Sequence, residues 1–247
     1  MSKLRTIAAA LVLAGAATLA QGPALAQNVA KPVVNDAKPA NPKDLSGIWF
    51  QAGGGKFGEY PWTPEYGAIA AKRKAAGDAG NPYQVAGSTC LPRGLVGMLT
   101  TGAYPLEIFQ TATGVTVLKE NGGVHRIHLN RQHLAPDDLT PLFFGDSVGH
   151  WEGNVLVVDS ISLGATDNID GQNPHSDEMR VVQKFQRTGA KSLEIEITVY
   201  DPKAFTKPIT TKSLFTARPE YELQEYYCVN ERHNFAGGDQ SVVTAGK

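Results

Sequence analysis

Residues 180–200, RVVQKFQRTGAKSLEIEITVY, carry the pattern that decides the fold class. Within residues 192–200, apolar side chains at positions 193, 195, 197 and 199 alternate with polar side chains at 194, 196 and 198. A period of two is typical of a β-strand with one buried face and one solvated face. The run RVVQKFQR precedes this strand, and Thr188–Gly189 falls between the two runs as a turn. Two antiparallel strands joined by a short connection are therefore predicted.

Strand-like runs continue on both sides of this pair, at spacings that suit short turns. About ten such runs predict an all-β fold, an antiparallel up-and-down barrel of about 8–10 strands, because closure removes exposed sheet edges. A β-sandwich stays open as the alternative, since strand spacing does not separate the two folds. A barrel of this size can hold one small ligand. The further runs are LSGIWF (45–50), LEIFQT (106–111), VTVLKE (115–120), VHRIHL (124–129), FFGDSVGHW (143–151), VLVVDS (155–160), TKPITTKSLFTA (206–217) and ELQEYYC (222–228).

One short helix is predicted near the N-terminal side of this meander. Thr63 is a good N-cap residue, and Pro64 suits the first helical position. Alanine-rich sequence then runs to about Ala76, where Gly77 ends the pattern. Residues 77–103 contain many glycines and prolines and are predicted to be loop.

The N-terminus has the pattern of a cleaved secretory signal over residues 1–26. Lys3 and Arg5 precede an uncharged, alanine- and leucine-rich stretch, and Ala24-Leu25-Ala26 is a small-x-small cleavage signal. We expect a flexible leader at 27–43, one β-barrel domain at 44–235 and a disordered tail at 236–247. The mature protein is accordingly expected in the periplasm or outside the cell, without a stable membrane anchor.

The charge and the cysteines restrict the partners. Removing the signal takes away two cations, which changes the counted net charge from −1 to −3, a weak and mixed charge that does not suit nucleic acid. Cys90 and Cys228 are the two cysteines, and in an exported chain such a pair most simply forms a disulfide. Two buried free thiols are the alternative. No CxxC occurs, which excludes the usual cysteine-based zinc site. The oligomeric state stays open.

Six blocks resemble a family of exported bacterial proteins with a lipocalin-like β-barrel. The resemblance covers nearly the whole chain after residue 43 and implies the fold, but no single activity. The chain departs from the family pattern at Asn154, at 142–144, in the 163–173 loop and at 230–232, near strand ends and loops. The blocks are DLSGIW (44–49), PLEIFQT (105–111), SVGHWEGNVLVVDS (147–160), PHSDEMRVVQKF (174–185), LEIEITVYDPKAFTKP (193–208) and ELQEYYC (222–228).

Three residues are the candidate catalytic groups. His175 can transfer a proton near neutral pH, and a nearby carboxylate such as Asp177 can orient an imidazole. Arg126 is expected to stabilise an anion. The alternative is that Asp177 caps a turn and His175 is an ordinary loop histidine. Ser176 lacks the GxSxG setting of a nucleophilic serine.

Four further residues are candidates for substrate binding: His128, Tyr226, Asp159 and Trp151. Arg126 and His128 lie two apart on one predicted strand and so share a face, but alternation does not reveal whether that face is the interior. His125 points the opposite way, so no metal pair with His128 is predicted. Trp49 resembles the tryptophan at the closed base of lipocalin-like barrels.

Two functions are compatible with these residues. The first is a cofactor-independent acid–base enzyme, of lyase, isomerase or cyclase type, that acts on a small aromatic or amphipathic molecule inside the barrel. The second is a non-catalytic carrier for a small hydrophobic ligand. The sequence contains no phosphate-binding loop and no dinucleotide fingerprint, so no cofactor is predicted. The enzyme requires His175, Asp177 and Arg126 to meet in one pocket.

Overall fold

Nine β-strands close into one barrel in chain order, β1 to β9. The computed structural model describes residues 37–80, 91–164, 168–169 and 173–226. This confirms the predicted all-β, lipocalin-like barrel and excludes the sandwich. The strands are β1 (Gly47–Gly54), β2 (Leu106–Gln110), β3 (Gly114–Lys119), β4 (Val124–His128), β5 (Asp146–Glu152), β6 (Val155–Ile161), β7 (Arg180–Arg187), β8 (Ser192–Tyr200) and β9 (Ile209–Ala217).

Strand pairing departs from a simple up-and-down order at one place. β4 and β5 pair in parallel, with Ile127 opposite Ser147, whereas every other pair in the barrel is antiparallel. The long connection 129–145 causes this, because it returns the chain along the outside before β5 begins. β1 and β9 close the barrel, from Trp49 opposite Ala217 to Gly54 opposite Ser213.

The inward faces form a continuous core. The apolar alternation predicted for residues 192–200 is confirmed, since the side chains at 193, 195, 197 and 199 are all buried. Phe185 of β7 and Trp49 of β1 are among the largest fully buried side chains. Trp49 donates its indole N–H to the carbonyl oxygen of Leu45 at 2.9 Å, and the Arg187 guanidinium lies 5.5 Å from the ring centroid.

In the described part of the chain, two α-helices lie at the barrel end where β1 finishes, which we call the helix end. The 120–123 turn, residues 173–179 and the 201–208 loop also lie there. α1 (Pro64–Asp78) confirms the predicted helix, and the Thr63 side chain caps it. α2 (Gly94–Thr100) lies in the segment predicted to be loop. Its residues 94–99 are buried, so tertiary packing stabilises a helix too short to form alone. Among the described residues, neither helix is long and apolar enough to cross a membrane.

One predicted strand, ELQEYYC, is wrong over the residues of it that the structure describes. Within ELQEYYC, residues 222–226 are irregular and do not join the barrel. Several predictions fall outside the described residues: the signal at 1–26, most of the leader at 27–43, the tail at 236–247, and both Cys90 and Cys228.

Candidate functional site

The predicted His175–Asp177 pair does not form. His175 is buried in the connection between β6 and β7, where its Nδ1 lies 2.8 Å from the carbonyl oxygen of Ser176. Asp177 is exposed, and its carboxylate accepts a hydrogen bond from Lys203 at 2.8 Å. The prediction that Asp177 orients His175 is therefore wrong, because the loop turns the two side chains toward different surroundings. Burial lowers the pKa of His175.

Asp201 organises this loop instead. It is buried, and its carboxylate accepts hydrogen bonds from the Ser176 amide at 2.7 Å, the Ser176 hydroxyl at 2.6 Å and the Ala204 amide at 3.0 Å. The 173–179 and 201–208 segments are tied together by these bonds. Ser176 is thus a structural residue. The Asp201 carboxylate beside His175 is occupied by hydrogen bonds from Ser176 and Ala204, so it does not face an open substrate site.

Arg126 and His128 lie on the outer face of β4. Burial alternates along this strand, with His125 and Ile127 inside and Val124, Arg126 and His128 outside. Arg126 and His128 line a groove on the barrel exterior, and His175 is not among the residues of that groove. The predicted meeting of His175, Asp177 and Arg126 in one interior pocket is therefore wrong.

Asp159 and Trp151 have structural partners. Asp159 projects outward from β6 and binds Arg180 through both carboxylate oxygens, at 2.8 and 3.0 Å. Trp151 packs against the core, and the Lys43 ammonium lies 5.7 Å from its ring centroid. Both contacts hold chain segments together, and the carboxylate of Asp159 is already paired with Arg180.

Tyr226 is the predicted residue that lines a cavity at the helix end. This cavity has a volume of about 160 Å³. Its walls combine apolar side chains with the ends of two strands and of α2. We call it the Lys119 cavity, and it is lined by Leu91, Pro92, Arg93, Met98, Tyr104, Lys119, Asn121, Gly122, Gly123, Phe144 and Tyr226.

Lys119 is held at this cavity by the alternation of β3. It follows Val115 and Val117 on the inward face and is 3% exposed. Its Nζ donates to the carbonyl oxygens of Met98, at 2.8 Å, and Thr101. These carbonyls belong to the C-terminal end of α2, where helix oxygens lack partners within the helix. The buried helix and the buried lysine therefore satisfy each other.

Burial lowers the pKa of Lys119 to about 7, and the nearby charge of Arg93 acts in the same direction. The amine is therefore partly neutral near pH 7. Two of its tetrahedral positions are occupied by the N–H groups bonded to Met98 and Thr101. The remaining position is an N–H in the charged form and a lone pair in the neutral form. A fixed amine of this kind can give or take a proton.

The other polar groups of the cavity suit an anion. The rings of Tyr104 and Tyr226 meet edge to face with centroids 5.2 Å apart. Burial raises the pKa of Tyr104, and so does a hydrogen bond to Tyr226, so its phenol stays protonated and its O–H is directed to Tyr226. The Arg93 guanidinium makes no hydrogen bond or ion pair with any residue that the structure describes. The cavity thus offers two phenols and an uncompensated guanidinium.

The 120–123 turn shapes the same wall. Gly122 and Gly123 have φ angles of 91° and 132°, a region that glycine adopts without strain. A Cβ on Gly123 would lie 2.9 Å from the Phe144 ring. The glycine therefore lets Phe144 close onto the turn and form part of the cavity.

A separate polar cluster lies inside the barrel. The His125 Nε2 is 3.0 Å from the Ser147 hydroxyl, which is 2.7 Å from the Ser160 hydroxyl. Burial lowers the pKa of His125 to about 3, so its imidazole is neutral at pH 7. The His125 Nδ1, both amide atoms of Gln183 and the Ser213 hydroxyl have no hydrogen-bond partner among the described residues.

Neither a metal-binding cluster among the described residues nor a known family for this chain is identified. In the part of the chain that the structure describes, no group of three or more His, Cys, Asp or Glu side chains is placed to hold a metal ion. No family model and no curated protein matches the chain.

Proposed function

We propose that this protein is an exported, cofactor-independent acid–base enzyme of lyase or isomerase type that acts at the Lys119 cavity. The observation that carries the proposal is Lys119, a buried amine with a pKa of about 7 that is fixed by two backbone carbonyls in a cavity wall. Strongly perturbed titratable groups in clefts are characteristic of functional sites. The proposed catalytic group is thus Lys119 in place of His175.

The cavity supports one kind of proton transfer. The neutral Lys119 amine accepts a proton from a carbon next to a carbonyl group. The C–H electron pair forms a carbon–carbon double bond, and the π pair of the carbonyl moves onto its oxygen. The Tyr226 phenol donates a hydrogen bond to that oxygen, where charge develops, and Tyr104 donates in turn to Tyr226. Return of the proton to another carbon completes an isomerisation, and loss of a leaving group completes an elimination.

The substrate is proposed to be a small, aromatic or amphipathic carbonyl compound that carries an anionic group. Arg93 binds that anionic group, since its guanidinium has no partner among the described residues. Leu91, Pro92 and Phe144 contact the apolar part. A volume of about 160 Å³ is below the roughly 300–1,000 Å³ of drug-sized ligand pockets, which restricts the substrate to a small molecule.

The test is deuterium exchange, because it detects proton abstraction before the product is known. The mature protein is incubated in D₂O with a panel of small aromatic and aliphatic keto acids, and loss of the α-proton signal is followed by NMR. We expect at least one compound to exchange faster with wild type, with a rate that rises with pH through about 7 as the amine loses its proton. Lys119→Met is expected to lower this rate by roughly 10²–10⁴-fold.

Lys184→Met is the matched control, because Lys184 is an exposed lysine on the outer face of β7. It is expected to exchange like wild type, and thermal unfolding verifies that both variants are folded. Exchange that survives Lys119→Met would overturn the catalytic role of Lys119. If a compound binds but neither wild type nor the two variants catalyse exchange, the result would instead favour a non-catalytic carrier, the second function compatible with the fold.

An oxidising location belongs to the same proposal, supported by the signal pattern at 1–26 and by the cysteines. The proposal includes a Cys90–Cys228 disulfide, because two cysteines in an exported chain most simply pair with each other. A thiol reagent is expected to label the denatured exported protein only after reduction. Labelling before reduction would contradict the disulfide.

A further inference from the structure

A second cavity lies outside the barrel, between the outer face of β4 and the connection 129–145. Its volume is about 480 Å³, within the usual range for small-molecule sites. Phe144 lines both this groove and the Lys119 cavity, so the two are neighbours, whereas Lys119 lines the first cavity alone. We call it the β4 groove, and it is lined by Val124, Arg126, His128, Leu134, Asp138, Leu139, Thr140, Leu142, Phe143, Phe144, Gly145, Asp146 and Ser147.

Large apolar side chains are exposed along the β4 groove. Leu142, Leu134 and Val124 are 55%, 44% and 41% exposed, and Leu139 and Phe143 lie between buried and exposed. A contiguous exposed apolar patch with a polar rim marks a binding surface more often than isolated exposed side chains do. The patch comes from two separate elements, the outer face of β4 and the 129–145 connection, which together make it concave.

Two cationic or potentially cationic side chains lie on the β4 side of this groove. Arg126 and His128 project from the same outer face, two residues apart. The side chain of neither residue makes a hydrogen bond or an ion pair with a residue in the described ranges. An arginine whose charge is not used by the fold, beside an apolar wall, is complementary to an amphipathic anion.

The two carboxylates of the groove leave this complementarity in place. Asp146 accepts hydrogen bonds from Arg131, from His133 at 2.8 Å and from the Leu134 amide at 3.2 Å. Burial alone would raise the pKa of Asp146, but these hydrogen bonds outweigh it and lower the pKa to about 2. Asp138 is exposed in the 3-10 turn Pro136–Asp138, where water screens its charge.

We infer that the β4 groove is a binding site for an amphipathic carboxylate, separate from the proposed active site. The carboxylate head binds Arg126 through paired N–H···O hydrogen bonds, with His128 as a second donor. The hydrocarbon body covers Leu134, Leu142 and Phe143. The ligand is of the fatty-acid or aryl-alkanoate type, since one anionic head and one apolar body match the two parts of the groove.

Calorimetric titration with decanoate tests this assignment, with decanol as the neutral probe of the same chain length. Wild type is expected to bind decanoate at least tenfold more tightly than decanol. Arg126→Gln is expected to weaken decanoate binding by roughly tenfold or more, because it removes a charge-assisted hydrogen-bonded pair. Lys184→Gln, which removes an exposed cation on β7, is expected to bind like wild type. Leu142→Asp should prevent binding by placing a charge in the apolar wall.

The same titration separates this site from the Lys119 cavity. Lys119→Met is expected to keep its affinity for decanoate, whether or not it has lost proton exchange. If Lys119→Met loses decanoate binding while Arg126→Gln keeps it, the anion occupies the other cavity and the groove assignment is overturned. Equal affinity for decanoate and decanol would overturn it as well.

Discussion

Replacing Trp49 with alanine is expected to lower the free energy of unfolding by about 3–5 kcal/mol. The indole is 1% exposed and fills the barrel near the end where β1 begins. The hydrogen bond from its N–H to the Leu45 carbonyl would be lost, and the Arg187 guanidinium would lose its contact with the ring. Urea denaturation followed by far-UV circular dichroism measures the change.

Trp151→Ala is the control for this prediction. Trp151 is only partly buried and packs against the edge of the core. The Trp151→Ala substitution is expected to lower the free energy of unfolding clearly less than Trp49→Ala. Folding buries less apolar surface of Trp151 than of Trp49. An equal loss for both variants would show that the Trp49 environment has no special role in the barrel.

Acid is expected to destabilise the protein through His125. The pKa of this imidazole falls from 6.5 to about 3 on burial, so between these values the unfolded chain binds a proton that the folded chain excludes. The free energy of unfolding therefore decreases as pH falls through this window, by at most about 1.4 kcal/mol per pH unit from this one group. Asp146, with its pKa of about 2, adds a loss at lower pH.

His125→Leu is expected to flatten the dependence of stability on pH between about 6 and 3. The measurement is a series of urea denaturation curves across that range. His128→Leu, on the same strand but facing outward, is the control and should keep the wild-type response. A His125→Leu protein with the full acid response would contradict the assignment of the proton uptake to this buried residue.

The barrel could be predicted because the strands carry their own signal. The alternation in residues 192–200 reports a buried face directly, and short turns between successive runs predict antiparallel neighbours. The parallel pairing of β4 with β5 has no such local signal. It depends on the path of residues 129–145, which are placed by contacts such as those of Asp146 with Arg131 and His133.

The sequence also did not predict the helix α2, and it did not show which face of β4 points into the barrel. α2 has seven residues, two of them glycine, and its burial at the end of the barrel stabilises it. On β4 the inward positions are His125 and Ile127, whereas the outward set contains Val124, an apolar residue. With polar and apolar residues on both faces, alternation reports a strand without its orientation.

The site shows the limit of reading catalytic groups from neighbouring residues. His175 and Asp177 are two positions apart, yet Asp177 binds Lys203 and the carboxylate next to His175 comes from Asp201. Lys119 did have a signal in the sequence. It shares the period-two face of Val115 and Val117, and a lysine in the third position of an apolar face predicts a buried amine. The α2 carbonyls that receive it are 18 to 21 residues earlier and could not be paired with it from sequence.

The pairing of β1 with β9 also has a consequence for the order of folding. One edge of β1, residues 47–54, can pair only with β9, residues 209–217. These two strands are separated by most of the chain. Contacts between such distant segments form late, since a long loop has to close first. Hairpins such as β7–β8 can form early, but the barrel can close only once β9 is available, and until then the free edge of β1 is exposed to other chains.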